Sequence, residues 1–481
     1  MVSVKKETLN YFIGTALLAI LNFAVSILYG DMFSPEDYGA YSLAFATYSL
    51  LSQMVVGWVS MSLIRYYIVH KKAGTDHKLI SSVFVQHIVF SILQFILILI
   101  SVQFIPLSAE LKTFAIIFSI FFFFESYVLF INTLMRIDNN SKQYNININI
   151  NCLLKIGILL LFYYVFGLKA VYVIALSLLC AEIIQTVYLT IKFKFYKYFT
   201  FKQFSSKILL QLFKYGAPLI GASISNWILN VSDRYVINFF YSDYDVGLYS
   251  YSYSLASSII SLLSQFIMLG AYPNIIKMWE EYGKEKTVAL IKKYLTLYIL
   301  IILPVCFGFL CMGERFFLLF TNERYWSSYM NFIITGFGIA VLGFNSYASK
   351  VWELKKKTGT TLILNAVAAV LNIVLNFWLI PKFGYIMGSV TTLVSYVVYL
   401  LLSVLLGRKY LRLQVDWPKV LKIGVASLMM MIALLLMNNL PLLNNFAGFL
   451  LECTVGVLVY IFAISILKVV DFSDLKKMFI R

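Results

Sequence analysis

The chain has 481 residues, of which 61% are apolar and only 13% charged, with a mean hydropathy of +0.84. A soluble chain would carry about 25% charged residues, so this composition excludes a soluble globular protein and indicates an integral membrane protein. Its apolar runs of about 20 residues call for helices rather than alternating barrel strands. The net charge of +17 lies in short connectors between those runs and does not indicate nucleic acid. Cys152, Cys180, Cys306, Cys311 and Cys453 all fall in apolar stretches, so neither a disulfide framework nor a thiolate metal site is indicated. The first apolar segment lacks a small-residue cleavage site, so no removable signal peptide is expected.

Taken in chain order, about fourteen spans are predicted, near 9–30, 41–64, 81–104, 112–134, 146–166, 169–190, 215–240, 247–270, 289–312, 326–348, 359–380, 385–406, 420–438 and 446–467. With the N-terminus placed inside, 32 of the 39 Lys and Arg fall on inner connectors and tails, five on outer connectors, and two, Lys155 and Arg234, within spans. This bias predicts that both termini are cytoplasmic. The longest connector, 191–214, is basic and aromatic. It reads either as a topogenic anchor on anionic headgroups or as a dock for an anionic ligand. Outer connectors are too short to form a catalytic domain.

An internal repeat is visible. FSPEDYGAYS (33–42) follows the first span and YSDYDVGLYS (241–250) follows the seventh. An offset of 208 superposes Ser34, Asp37, Gly39, Tyr41 and Ser42 on Ser242, Asp245, Gly247, Tyr249 and Ser250, and Leu21–Asn22 on Leu229–Asn230. A shift of six helices restores membrane orientation, so two parallel six-helix lobes around a central cavity are expected. The predicted division is 1–190 for the first lobe, 191–214 for the linker, 215–406 for the second lobe, and 407–481 for two further helices and a cytoplasmic tail. The repeat is not symmetric in charge, because Val25 and Ser26 stand where the second copy has Asp233 and Arg234.

Charged and amide residues at membrane depth mark functional positions. In the fifth span Asn147, Asn151 and Lys155 recur every fourth residue and share a face. Lys155 would contact a ligand from the cavity wall, act as a gating charge, or pair with Glu125 or Glu182 of neighbouring spans. Those two acids could instead carry a coupling proton. In the seventh span Asn226, Asn230 and Arg234 share a face, and Asp233 points elsewhere. The arginine fork suits phosphate oxygens, although a salt bridge would also satisfy it. Asn365, Asn372 and Asn376 line one face of the eleventh span as interhelical glue or as sugar contacts. Arg65 closes the second span at the cytoplasmic surface, as a positive-inside anchor or at a cavity mouth, and Glu452 stands in the last. Phosphate-binding glycine loops and HExxH are absent, and His70, His77 and His87 do not form a ligand set, so an enzyme is not expected.

With its fourteen spans, its halves and the segments FSPEDYGAYS, YGAPL (215–219), NWILNVSDRYVI (226–237), VGLYS (246–250) and LNIVLNFWLIPKFGYIMGS (371–389), the chain resembles the polysaccharide transport family. That is the O-antigen-type oligosaccharide flippase branch of the multidrug/oligosaccharidyl-lipid/polysaccharide exporter superfamily. The resemblance implies movement of a polyprenyl-pyrophosphate-linked oligosaccharide to the outer leaflet of a bacterial cytoplasmic (inner) membrane, for O-antigen, capsule or related polymers. It also implies a cationic cavity, a role that Lys155 and Arg234 would fill here. The partners expected are that lipid, the bilayer and other polysaccharide-assembly membrane proteins, with no cofactor; coupling to Na⁺ or H⁺ stays open. The rival readings are a cation-coupled multidrug exporter, a lipid-linked peptidoglycan precursor flippase and, from another class, a membrane glycan polymerase or ligase.

Overall fold

The computed structural model describes residues 2–104, 108–138, 140–194, 200–437 and 445–469. Part of the basic linker (195–199), part of the connector between the last two spans (438–444) and the C-terminal tail (470–481) therefore lie outside the described residues. The described residues are helical, with no strand among them. They form two compact units, Met1–Ser250 and Tyr251–Arg481. Among the described residues, twelve helices are long and apolar enough to cross a membrane. A thirteenth candidate is the pair Ser206–Ala217 and Leu219–Phe240, bent by 43°.

The first unit contains α1 (Val2–Met32), α2 (Pro35–Ser52), α3 (Trp58–Lys72), α4 (Asp76–Phe104), α5 (Ala109–Ile137), α6 (Ser141–Leu160), α7 (Tyr172–Phe193) and α8 (Ser206–Phe240). One turn of π-helix, Gln53–Gly57, joins α2 to α3, so the predicted second span is a single rod that overruns its expected ends. Gly167, at φ +68°, separates α6 from α7 where the sequence predicts the fifth and sixth spans to part. α5 packs on α2, α4 and α7, α1 on α6, and α3 on α8.

Sidedness in α4 is the reverse of a soluble helix. Ser82, Gln86, His87, Ser91 and Gln94 are buried, while Val89, Ile92, Leu93, Ile96, Leu97 and Ile100 are exposed. Lipid tails are as apolar as leucine, so the apolar face gains nothing by turning inward and helices associate through close packing and hydrogen bonds. One such bond joins Tyr127 to Thr190 at 2.8 Å. Another runs from Tyr163 Oη to the Met32 carbonyl at 3.0 Å.

α9 (Asp243–Phe320) begins in the first unit and continues through the second. Its 78 residues would measure roughly 117 Å if straight, several times the bilayer core. At Gly283, φ is +75° and the helix breaks. The two arms then fold back on each other, with Asn274 Nδ2 donating to Tyr294 Oη at 2.9 Å and Ser264 meeting Tyr298 Oη at 3.4 Å. Both the eighth and ninth predicted spans thus lie in this hairpin. The second unit continues with α10 (Tyr329–Ala348), α11 (Lys350–Leu354), α12 (Thr358–Phe383), α13 (Met387–Gly407), α14 (Trp417–Met437) and α15 (Phe446–Ile466). α13 packs on α10 and α12, and α14 on α15. Arg315, predicted on an outer connector, forms an ion pair with the buried Glu452, and Tyr460 Oη donates to the Leu300 carbonyl at 2.6 Å. These contacts bind the final helix to the second arm of α9.

The internal repeat has a structural meaning. Ser34 caps α2 in a capping box with Asp37, and Ser242 stands likewise before α9, its Oγ bonded to Asp245. The two helix starts cross reciprocally. A Cβ on Gly39 would lie 1.9 Å from the Asp243 carbonyl oxygen, and one on Gly247 would lie 1.8 Å from that of Pro35. Asp243 is the repeat equivalent of Pro35. Three residues on, the equivalent serines meet, Ser42 Oγ donating to Ser250 Oγ at 2.8 Å.

Candidate functional site

Four predicted residues converge in the first unit. Lys155 and Asn151 of α6, Glu125 of α5 and Glu182 of α7 line one cavity of about 270 Å³, together with Asn22, Asn132, Gln185 and Cys152. Each helix presents its polar residues at helical spacing, as with Glu125 and Asn132 or Glu182 and Gln185. Lys155 Nζ lies 2.9 Å from Glu182 Oε1, with Glu182 only 3% exposed, and 5.8 Å from the centre of the Phe121 ring. Asn151 donates to the same Glu182 oxygen at 3.1 Å and to Gln185 Oε1. Glu125 accepts from Tyr48 Oη. Among the described residues, Glu182 Oε2 is buried without a hydrogen-bond partner. Two carboxylates thus share the cavity with a single ammonium. When all three are ionised, the pocket carries one excess negative charge, which is costly at membrane depth unless a cation or proton offsets it.

Asn147 lies just beyond the cavity and serves packing. It is 1% exposed, accepts from Gln143 at 2.9 Å, and points Nδ2 at Met135 Sδ (3.1 Å) and Asn132 Oδ1 (3.5 Å). Asn22, Asn132 and Gln185 were missed as cavity residues, and Tyr48 as the donor to Glu125. Asn22 does appear in the repeat alignment, and Gln185 follows Glu182 by less than one turn.

Arg234 is elsewhere, because no residue of α8 lines the Lys155 cavity. Its Nε donates to Ser250 Oγ at 2.9 Å, the same oxygen that Ser42 reaches. Asp233 is fully buried and accepts from Tyr249 Oη at 2.6 Å, so neighbours in sequence serve different surroundings. Along the Arg234 face, Asn230 Nδ2 bonds back to the Asn226 carbonyl (2.6 Å) and to Asn226 Oδ1 (3.3 Å). In the second unit Asn372 donates to Thr392 at 3.2 Å, Asn376 donates to Asn372 at 3.1 Å, and Thr391 donates to Asn376. This ladder joins α12 to α13. Asn365 is half-buried on α12. Arg65 places its guanidinium 4.8 Å above the Tyr215 ring.

The sequence model of a family described as polysaccharide biosynthesis protein matches residues 32–331. The chain belongs to this family. It is 24% identical to the uncharacterized membrane protein MJ1068 of Methanocaldococcus jannaschii, over 97% of this chain and 95% of that protein. It is 23% identical to the "probable low-salt glycan biosynthesis flippase Agl15" of Haloferax volcanii, over 54% of this chain and 55% of that one. Among solved structures, the lipid II flippase MurJ in an inward closed conformation superposes with a TM-score of 0.77 at 19% identity, covering 98% of this chain and 99% of MurJ. An inward-facing multidrug resistance MATE transporter of the MOP superfamily superposes with 0.65 at 15% identity, over 82% and 94%. The family member thus has the two-lobed, multi-pass fold of MOP-superfamily transporters.

Proposed function

We propose that the protein is a flippase that carries a polyprenyl-pyrophosphate-linked oligosaccharide from the cytoplasmic to the outer leaflet of the cytoplasmic membrane, for assembly of a surface polysaccharide. The observation that carries this reading is the conjunction of a polysaccharide biosynthesis family with a flippase fold that spans nearly the whole chain. Family relatives are archaeal as well, so the glycan need not be an O-antigen. The proposed topology has fourteen crossings with both termini cytoplasmic, and transport proceeds by alternating access between lobes. The prenyl tail stays in lipid. Arg234, set among hydroxyls, replaces hydration of the diphosphate. The acid-rich Lys155 cavity takes a monovalent cation, Na⁺ or H⁺, whose movement is coupled to transfer.

Transfer of a fluorescent polyprenyl-pyrophosphate oligosaccharide across liposomes holding the purified protein tests this. Wild type transfers the lipid, and Arg234→Ala in folded protein slows it at least tenfold, a loss of about 1.4 kcal/mol or more. An imposed Na⁺ or pH gradient drives wild type but not Glu182→Gln. The similarity to a lipid II flippase makes a peptidoglycan precursor the rival cargo. Transfer of that precursor alone would replace the proposed substrate, and export of an organic cation with no lipid transfer would end the flippase reading.

A further inference from the structure

A second cationic site lies where α3 ends and α8 begins. Gly216 makes it possible, because a Cβ there would come within 2.4 Å of the Trp58 ring and 2.9 Å of Ser62 Oγ. With hydrogen in that place, α3 and α8 lie flush, and Ser62 Oγ donates across to the Leu212 carbonyl at 3.1 Å. One turn further along α3, Tyr66 meets Tyr215 edge-on with ring centres 5.9 Å apart, and Arg65 lies over the face of the same ring. That placement restrains a long side chain at little electrostatic cost. Facing it, Lys207, Gln211 and Lys214 recur at i, i+4 and i+7 of α8. A groove of about 510 Å³ runs between Tyr66, Tyr215 and this face.

Charge and apolarity together define what would fit. Lys71, Lys155, Lys277, Lys292, Arg315 and Lys350 each have a carboxylate within 4.0 Å, whereas among the described residues Arg65, Lys207 and Lys214 have none. Lys207 and Lys214 therefore line an open groove, with Arg65 beside it over Tyr215, and none of the three has a counterion among the described residues. Leu210, which lines the groove, is 54% exposed, and Phe213 beside Trp58 is 47% exposed. A soluble anion would have no use for that apolar margin. An amphiphile would, with its phosphate oxygens on the fork of Arg65 and the two ammonium groups and its chain along Leu210 and Phe213. We propose that this groove captures the diphosphate headgroup of a membrane-embedded lipid before transport, at a site distinct from both Arg234 and the Lys155 cavity. The proposal rests on the flippase reading above and assigns its point of substrate entry.

The test is a concentration series of fluorescent polyprenyl-pyrophosphate oligosaccharide in neutral phosphatidylcholine liposomes, comparing wild type, Lys207→Gln/Lys214→Gln and Lys207→Arg/Lys214→Arg. The glutamine variant should need at least about tenfold more lipid for half-maximal transfer, as expected for losing charge-assisted bonds, while its rate at saturation falls far less. The arginine variant should keep the wild-type half-saturation. Inorganic pyrophosphate should compete weakly, since it lacks the chain. An unchanged half-saturation in the glutamine variant, with wild type active, would overturn the capture site and leave the flippase reading standing. So would a defect confined to vesicles containing phosphatidylglycerol, because the groove would then hold bulk anionic lipid. A wild-type protein that moves no lipid removes both.

Discussion

The two copies of the repeat agree in backbone geometry and disagree in charge. Ser34 and Ser242 both sit at helix starts, Gly39 and Gly247 both press against the other copy's first carbonyl, and Ser42 meets Ser250. About two turns before the caps, the charges do not match. The first copy has Val25 and Ser26, the latter bonding back to the Asn22 carbonyl at 3.1 Å, where the second has a buried aspartate and an arginine. Duplicated segments are therefore alike where steric contact leaves no choice of residue. They have diverged where a side chain can reach the interior and do chemistry. The cation of the first half, Lys155, comes instead from another helix and is outnumbered by acids, whereas Arg234 donates to a serine hydroxyl.

The glycines offer the most severe way to break the symmetry. At both positions the added atom would meet backbone, which has no rotamer to escape into. Gly39→Val and Gly247→Val should each cost more than the usual ~1–3 kcal/mol of overpacking and should abolish lipid transfer. Because the contact is reciprocal, the two variants should lower the thermal midpoint in detergent by similar amounts. A mild effect at one and a severe effect at the other would show that the crossing is not a true pseudo-two-fold.

Next in size is the separation of the two cations. Lys155→Ala strands Glu182 in a buried site and should destabilise by ~3–5 kcal/mol, the usual result of removing one partner from a buried pair. Adding Glu182→Gln should restore most of the loss in thermal unfolding. Arg234→Ala should instead leave the midpoint within a few degrees and slow transfer, while Ser26→Ala, its first-copy equivalent, should change neither. Equal stability losses at Lys155 and Arg234 would erase the distinction between a charge-balancing lysine and an arginine proposed to meet the substrate.

Helices, lobes and most polar positions were legible because membrane burial writes them in plain composition. A stretch such as NININCLLKIG announces its buried face by where asparagine and lysine fall. The pairing of Lys155 with Glu182 stood among the alternatives open to Lys155, but periodicity on one helix cannot rank them. It places a residue on a face, not against a partner on a helix 27 residues away. The same limit hid Tyr48 and Asn132, whose roles depend on how α5 meets α2 and α6. Gly216 was quoted within YGAPL without its reason, since only coordinates show Trp58 filling the space a side chain would take. The break at Gly283 was legible in outcome, as two spans, though the helix on either side is nearly continuous.

The smallest expected effect tests whether the caps are as equivalent as their sequences. Ser34 accepts from the Asp37 N–H at 3.2 Å and the Asp37 carboxylate reaches back to the Ser34 N–H at 3.4 Å, which closes the box. At the second copy the Asp245 N–H to Ser242 Oγ distance is 3.5 Å, while both serines give their hydroxyl proton to the aspartate, Ser242 at 2.6 Å and Ser34 at 2.9 Å. The first cap thus satisfies two backbone donors, one at 3.2 Å and one at 3.4 Å, the second one donor at 3.5 Å. Ser34→Ala should cost ~1 kcal/mol and Ser242→Ala about half as much, read as a difference in thermal midpoint between the two purified variants. If the order reverses, the second helix start depends on its cap more than its geometry indicates. The closer likeness of the two copies would then lie in their glycines alone.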